Sequence, residues 1–368
     1  MILCSYPPAQ NRPRRQAILE ALARVVDAEI CILGREVAAF ELEMAAHTGT
    51  GHCIGVNSGT DALVLGLQAL GVGPGDEVIT VSHTALATVA AVTLTGAVPV
   101  LVDVDPLTRT ISPQAARAAI TPRTKAIVAV HLYGQPCDMD ALLALCREHG
   151  LALVEDCAQA QGARHKGRRV GSMGDVGCFS FYPTKNLGAI GDGGAVTTND
   201  PQVAERVRQL RQYGWDDERI SRRPGHNSRL DEMQAAILRL KLPDLDADNA
   251  RRAAVSERYS RDLAGLGLTL PPVVAETEAA HHLYVIETGR RDALKAHLAQ
   301  RGIMAGIHYA IPAHGNPGYA ERIRLPAAGL PVTDALVGRI LTLPIYPELT
   351  EAEISAVIDG VISFFREG

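Results

Sequence analysis

One lysine is set where it can act as a nucleophile. It lies in Phe179-Ser180-Phe181-Tyr182-Pro183-Thr184-Lys185-Asn186-Leu187-Gly188, with Gly191-Asp192-Gly193-Gly194 close behind. A lone lysine normally belongs to a solvated face. Lys185 instead ends the apolar, strand-like run Val176 to Phe181, among small and hydroxyl-bearing residues. Desolvation at a strand end favours the neutral amine, the form that condenses with a carbonyl. The glycines beyond it let the backbone turn sharply and approach a bound group.

Two further stretches join it. Ser58-Gly59-Thr60 comes after a short apolar run and opens a helical pattern. Free N–H groups there would receive a phosphate, or the serine is an ordinary helix cap with Asp61 in the first turn. Glu155-Asp156-Cys157-Ala158-Gln159 comes after the apolar run Leu151 to Val154. A carboxylate at a buried strand end needs a cationic partner, such as a pyridinium nitrogen, unless it only caps the next segment. A reactive amine, a pyridinium counter-ion and a phosphate cradle are together the protein parts that pyridoxal 5'-phosphate chemistry requires.

These residues sit on an alternating pattern. Strands are expected at His52 to Val56, Glu77 to Val81, Val98 to Val102, Ala126 to His131 and Leu151 to Glu155. Between them fall helices at Asp61 to Leu70, from Ser82 as cap to Leu94, at Pro113 to Ile120 and at Asp138 to His149. Ahead of them, Ile18 to Val26 and a run from Gly34 to Glu43 read as helices. Runs of Val, Ile and Leu without strict alternation mean strands buried on both faces, hence α/β with a mostly parallel sheet in three layers. Ligands of such sheets bind beyond the carboxyl ends of strands. After Pro201 come a helix at Gln202 to Arg211, a polar loop at Tyr213 to Arg229, and helices at Leu230 to Leu240 and Asp244 to Leu266. The rest carries short Pro-punctuated strands and helices at Asp292 to Arg301 and Glu351 to Phe365. We divide the chain at 1–243, a large domain with N-terminal helices, and 244–368, a smaller α+β domain.

Composition excludes several classes. A net charge of −5 with 4% aromatic residues argues against a nucleic-acid binder. Cysteines 4, 31, 53, 137, 146, 157 and 178 are odd in number and lack C-x-x-C spacing, so they read as reduced core residues of a cytoplasmic protein. Ala85 to Val102 is apolar but interrupted by Gly96 and Pro99, a buried helix, turn and strand and not a membrane span. No secretory leader is read in the first residues, where Asn11 to Arg15 is polar and basic. His308 and His314 lack a third ligand, so no metal is expected.

Six motifs in order resemble the DegT/DnrJ/EryC1/StrS sugar aminotransferases, of fold type I (aspartate aminotransferase-like). They are Gly55-Val56-Asn57-Ser58-Gly59-Thr60-Asp61-Ala62-Leu63, Pro74-Gly75-Asp76-Glu77-Val78, Val130-His131-Leu132-Tyr133-Gly134-Gln135, Glu155-Asp156-Cys157-Ala158-Gln159-Ala160, Ser180 to Gly188, and Asn227-Ser228-Arg229-Leu230-Asp231-Glu232. The resemblance covers nearly the whole chain. It implies that Lys185 holds the cofactor covalently and then shuttles the proton, with Asp156 on the ring nitrogen. Gln159 is implied near the ring hydroxyl, and Gly59, Thr60 and Ser180 on the phosphate. Asn227 would reach the phosphate of a neighbouring subunit, making a homodimer with shared sites. His83 stands where many relatives stack an aromatic ring on the cofactor; the other reading of His83 is a helix cap. Tyr182, Arg229, His308, Tyr309 and His314 are implied near the substrate.

A lysine at 185 favours amino transfer over the sugar dehydration of relatives with histidine there. The activity implied is amino transfer from L-glutamate to a nucleotide-linked keto-deoxysugar. Ser82-His83-Thr84 with His131 to Gln135 resembles members acting on dTDP-3-keto-6-deoxyhexoses. A dTDP-4-keto sugar, a keto-cyclitol, or a non-catalytic regulator keeping the fold are the alternatives. Arg219, Arg222, Arg223, His226 and Arg229 form a basic loop that either holds a sugar-nucleotide diphosphate or is merely solvated.

Overall fold

The computed structural model describes residues 1–366 of the 368. Its main sheet has seven strands: β1 His52–Val56, β2 Glu77–Val81, β3 Val98–Val102, β4 Thr124–Val130, β5 Ala152–Asp156, β6 Val176–Ser180 and β7 Gly194–Thr198. Their spatial order is β1-β7-β6-β5-β4-β2-β3. From β6 through β5, β4 and β2 to β3 all pairings are parallel. β7 runs antiparallel to both its neighbours. The sheet is therefore mostly parallel, and β5 and β6, which lead to Asp156 and Lys185, end side by side at one rim.

The helices that matter for the site are α1 Arg35–Thr48, α2 Gly59–Ala69, α3 Leu86–Leu94, α4 Met139–His149, α5 Pro201–Leu210, α6 Glu232–Lys241, α7 Leu245–Asp262, α8 Arg291–Gln300 and α9 Glu351–Arg366. Local chemistry sets their ends. Ser58 caps α2 by accepting from Asp61 N at 3.1 Å, and Asp138 caps α4 through Ala141 N. Gly150 closes α4 at φ 64, a conformation open to glycine. The start of α1 is capped from far away: the Glu232 carboxylate accepts from Gly34, Glu36 and Val37 N–H.

Strand bounds track the apolar runs closely, because strands covered on both faces leave little room for polar side chains. Helix bounds differ more. α1 runs five residues past Glu43, and α7 stops at Asp262 and not at Leu266. α2 begins at Gly59, so Gly59 and Thr60 belong to its first turn. Ser82 does not cap α3; Ala85 stands at its start, and Ser82 Oγ bonds His314 Nδ1 at 2.7 Å. A short helix, Pro331–Val337, was not expected.

Two main hydrophobic clusters form. One surrounds the seven-stranded sheet, from Val37 and Phe40 to Leu238 and Leu245. Each fully buried aliphatic side chain there, such as Ile79 or Leu67, contributes about 1.5–3 kcal/mol. The other joins Ile2 to residues from Val255 to Phe364, around α8, α9 and the pair β8 Tyr284–Glu287 and β9 Ile340–Leu343. Ile2 bridges Ile303, so the chain's first residues lie on this second cluster. Among the described residues no helix is long and apolar enough to cross a membrane. Ala85 to Val102 is the buried α3, a turn and β3. All seven cysteines are free, five of them buried.

Candidate active site

Lys185 lies beyond β6 in a turn where its N–H donates to Tyr182 O. Burial pulls its amine down to about pKa 8, against the opposing pull of Asp156. The neutral, nucleophilic amine is therefore far more accessible than in an exposed lysine. The next residue is pinned: Asn186 Nδ2 donates to Asn249 Oδ1 and Ala280 O, and its Oδ1 meets His282 Nδ1 at 3.0 Å. Behind the nearby glycine, Lys241 Nζ donates to Gly188 O, Gln10 Oε1 and Asn11 Oδ1.

Asp156 is buried at the end of β5. Burial pushes its carboxyl up, and donors hold it down: Ala158 N at 3.1 Å and Thr88 Oγ1 at 2.9 Å, with Lys185 and His131 acting through space. Thr88 in turn meets Thr84 Oγ1 at 3.0 Å. An ionised carboxylate only accepts, so the Thr88 proton points to Asp156 and Thr84 donates to Thr88. The neighbouring Glu155 has a separate, structural job. It accepts from Gly171, Met173 and Gly174 N–H and faces His131 Nε2 at 3.1 Å. His131, Glu155 and Cys157 cluster closely enough to suggest a metal. His131 Nδ1, however, accepts from Cys137 N–H, which puts the proton on Nε2 and leaves no imidazole lone pair for an ion.

The start of α2, the end of β6 and the start of β7 converge on bare backbone. A Cβ on Gly59 would lie 2.5 Å from Ser180 Cβ, and one on Gly194 would strike Ser58 O. Among the described residues, Gly59 and Thr60 N–H donate to nothing. A helix N-terminus with free donors, a hydroxyl at Ser180 and no side chain in the way fits a phosphate. A buried, donor-held carboxylate and a desolvated amine fit the ring nitrogen and aldehyde of the same cofactor. The residues present therefore match pyridoxal 5'-phosphate.

His83 is fully buried. Tyr133 Oη donates to His308 O, so it must accept from His83 Nε2–H, at 2.7 Å. His83 is thus a neutral Nε2–H tautomer, and burial, its main influence, lowers its pKa to about 4. It does not cap α3, whose first turn takes no side-chain bond. Tyr133, at φ 62, also donates its N–H to Gln159 Oε1, while Gln159 Nε2 donates to Tyr309 Oη.

A cavity of ≈ 280 Å³ opens beside these groups. Of the residues expected at the site, Gln159, Tyr182, Lys185, His308 and Tyr309 line it, joined by Arg252. His314 does not: it sits between Ser82 and Asp334. Asn227 and Arg229 lie beside Ser228, whose hydroxyl bonds Asn57 N and Asp61 and ties the loop to the start of α2. Part of the basic loop is spent internally, with Arg222 on Asp216 and Arg219 over Trp215.

Thr84, Thr88, Tyr133 and Arg252 were missed as site residues. The motif Val130 to Gln135 drew attention to Tyr133, but an isolated Thr in an apolar helix or Arg in a charged one carries no local signal.

The chain is similar in sequence and fold to known proteins. The profile of the DegT/DnrJ/EryC1/StrS aminotransferase family matches residues 13–362. A dTDP-3-amino-3,4,6-trideoxy-alpha-D-glucose transaminase of Streptomyces venezuelae is 50% identical over 93% of this chain and 90% of its own. A UDP-N-acetyl-3-dehydro-alpha-D-glucosamine 3-aminotransferase of Acidithiobacillus ferrooxidans is 46% identical over 95% and 94%. The crystal structure of S. venezuelae DesV in complex with a ketimine intermediate superposes with a TM-score of 0.96 at 48% identity, covering 99% of this chain and 98% of that one.

Proposed function

The chain belongs to the DegT/DnrJ/EryC1/StrS aminotransferase family, pyridoxal-phosphate-dependent sugar aminotransferases of fold type I, and we propose that it moves an amino group from L-glutamate to the C-3 carbonyl of a dTDP-linked 3-keto-6-deoxyhexose. The observation that carries this is the pairing of Lys185, its amine lowered to about pKa 8, with Asp156 at the neighbouring strand end. Support for C-3 comes from the two relatives, both named for a 3-amino or 3-dehydro sugar.

When bound, pyridoxal phosphate supplies an electron sink and a carrier for the amino group between the two half-reactions. The residues then divide the work. Gly59, Thr60 and Ser180 would hold the phosphate. Asp156, kept ionised by Thr88 and Ala158, would hold a proton on the ring nitrogen. His83 would cover one ring face, and Gln159 would meet the ring hydroxyl. Lys185 Nζ would hold the cofactor's aldehyde and, once freed by the donor's amine, would act as the base that takes the donor's Cα proton in the first half-reaction and as the acid that gives a proton to the sugar's aminated carbon in the second. Tyr182, His308 and Tyr309 would orient the sugar, with His314 and Arg229 further out.

We also propose a homodimer in which Asn227 completes the partner's phosphate site, within the cytoplasm. In our division the part spanning 1–243 carries the chemistry, and the part spanning 244–368 closes the cavity through His308 and Tyr309.

The test is optical. L-glutamate should bleach the visible band of the cofactor-loaded protein, and dTDP-3-keto-6-deoxyglucose should restore it. A band untouched by L-glutamate refutes the donor. A bleached band restored by a 4-keto but not a 3-keto nucleotide sugar refutes the position.

A further inference from the structure

Among the described residues, Arg252 is the one arginine lining the cavity beside Lys185, and it is left half-used. It sits on α7 and is 5% exposed. It lines the ≈ 280 Å³ cavity together with Lys185, and also a smaller adjoining cavity with Lys185 and Glu348. Its Nη1 donates to Ile345 O at 3.0 Å and, more weakly, to His282 O and His281 O. That accounts for one of its three nitrogens. Nε is buried without a partner, and among the described residues Nη2 makes no hydrogen bond. No carboxylate lies within ion-pair distance of it among the described residues; Glu348 and Asp248 act only through space. A buried cation without a counter-ion is costly to keep. The fork of a guanidinium matches a carboxylate in two parallel bonds.

We propose that Arg252 is the receptor for a carboxylate of the amino-acid donor. This rests on the aminotransferase reading with a dicarboxylic donor. Lys185 is where the donor's amine must arrive, so an anion held in the same cavity belongs to a molecule reacting there. A nucleotide diphosphate is separated from its reacting carbonyl by the sugar ring; the donor's carboxylates are a few bonds from its amine. The bonds to Ile345, His282 and His281 pre-position the guanidinium, so little side-chain freedom is lost on binding.

Glutarate, a dicarboxylate without an amine, is the probe, titrated calorimetrically into cofactor-loaded protein. Wild type should bind it, and glutarate should compete with L-glutamate in turnover. Arg252→Gln should weaken glutarate by about 10- to 100-fold and raise KM for L-glutamate similarly, the range for a hydrogen bond to a charged group. KM for the keto sugar nucleotide should hold within about twofold. Because Arg252→Gln also loses carbonyl contacts, Arg252→Lys serves as the folded control. It keeps the charge and one set of donors but not the fork, and should show an intermediate loss. The proposal is overturned if wild type binds no glutarate while still transaminating L-glutamate, or if a folded Arg252 variant binds glutarate normally. If wild type accepts only a monocarboxylic donor, the donor assignment itself has failed, a separate result.

Discussion

Thr88→Val tests how the site keeps a buried carboxylate charged. Thr88 Oγ1 donates to Asp156 Oδ2 at 2.9 Å, and both residues are buried. Valine has nearly the same shape, so no cavity opens; what is lost is the donor to Asp156 and, with it, the acceptor of the Thr84 hydroxyl. A hydrogen bond to a charged group is worth about 1.5–3 kcal/mol. Burial already pushes the Asp156 carboxyl up, and Ala158 N–H would be its sole remaining local donor. At about 1.4 kcal/mol per pKa unit, its pKa should climb by about one to two further units. A higher pKa means protonation at higher pH. Cofactor affinity should then hold at the alkaline end of the range, while its decline on acidification should begin about one to two pH units sooner. Equilibrium dialysis of pyridoxal phosphate across a pH series reads both. Thr88→Ser keeps the hydroxyl and should behave like wild type. A wild-type pH profile of affinity in Thr88→Val would refute the idea that Thr88 holds Asp156 ionised.

Three other outcomes are expected. Lys185→Ala should abolish turnover while the fold persists, since the lysine amine and not its packing carries the chemistry; residual turnover near wild type would contradict it. Lys241→Met should destabilise the protein by about 1–3 kcal/mol in urea unfolding, because Gly188 O, Gln10 Oε1 and Asn11 Oδ1 lose their shared donor; an unchanged midpoint would count against that tie. Finally, His47, His83 and His281 are held neutral by burial, with pKa about 4 against 6.5 when exposed. Between these values the unfolded chain binds more protons, so stability should drop as pH falls from about 6.5 to about 4, by about 3 kcal/mol for His83 alone. Urea titrations across that window that show no loss would overturn the assignment.

The sequence by itself determined the strands and the reacting pair. His52–Val56, Glu77–Val81 and Val98–Val102 match their apolar runs end to end, because strands buried on both faces admit few other side chains. Lys185 and Asp156 were legible because each ends such a run, where a charged group is conspicuous. Gly59 was legible through its neighbours, but the need for glycine there comes from Ser180, which only the sheet brings near. Tertiary structure alone decided the partners. Thr88 meets Asp156 across 68 positions, His83 meets Tyr133 across 50, and Ser82 leaves its expected helix for His314 across 232. Local pattern encodes which face an element buries. It does not encode the strand order β1-β7-β6-β5-β4-β2-β3, and that order sets which side chains share the rim. Arg252 looked like one more charge on a charged helix; only the fold brings His281, His282 and Ile345, just outside β8 and β9, and the chain's first residues around it.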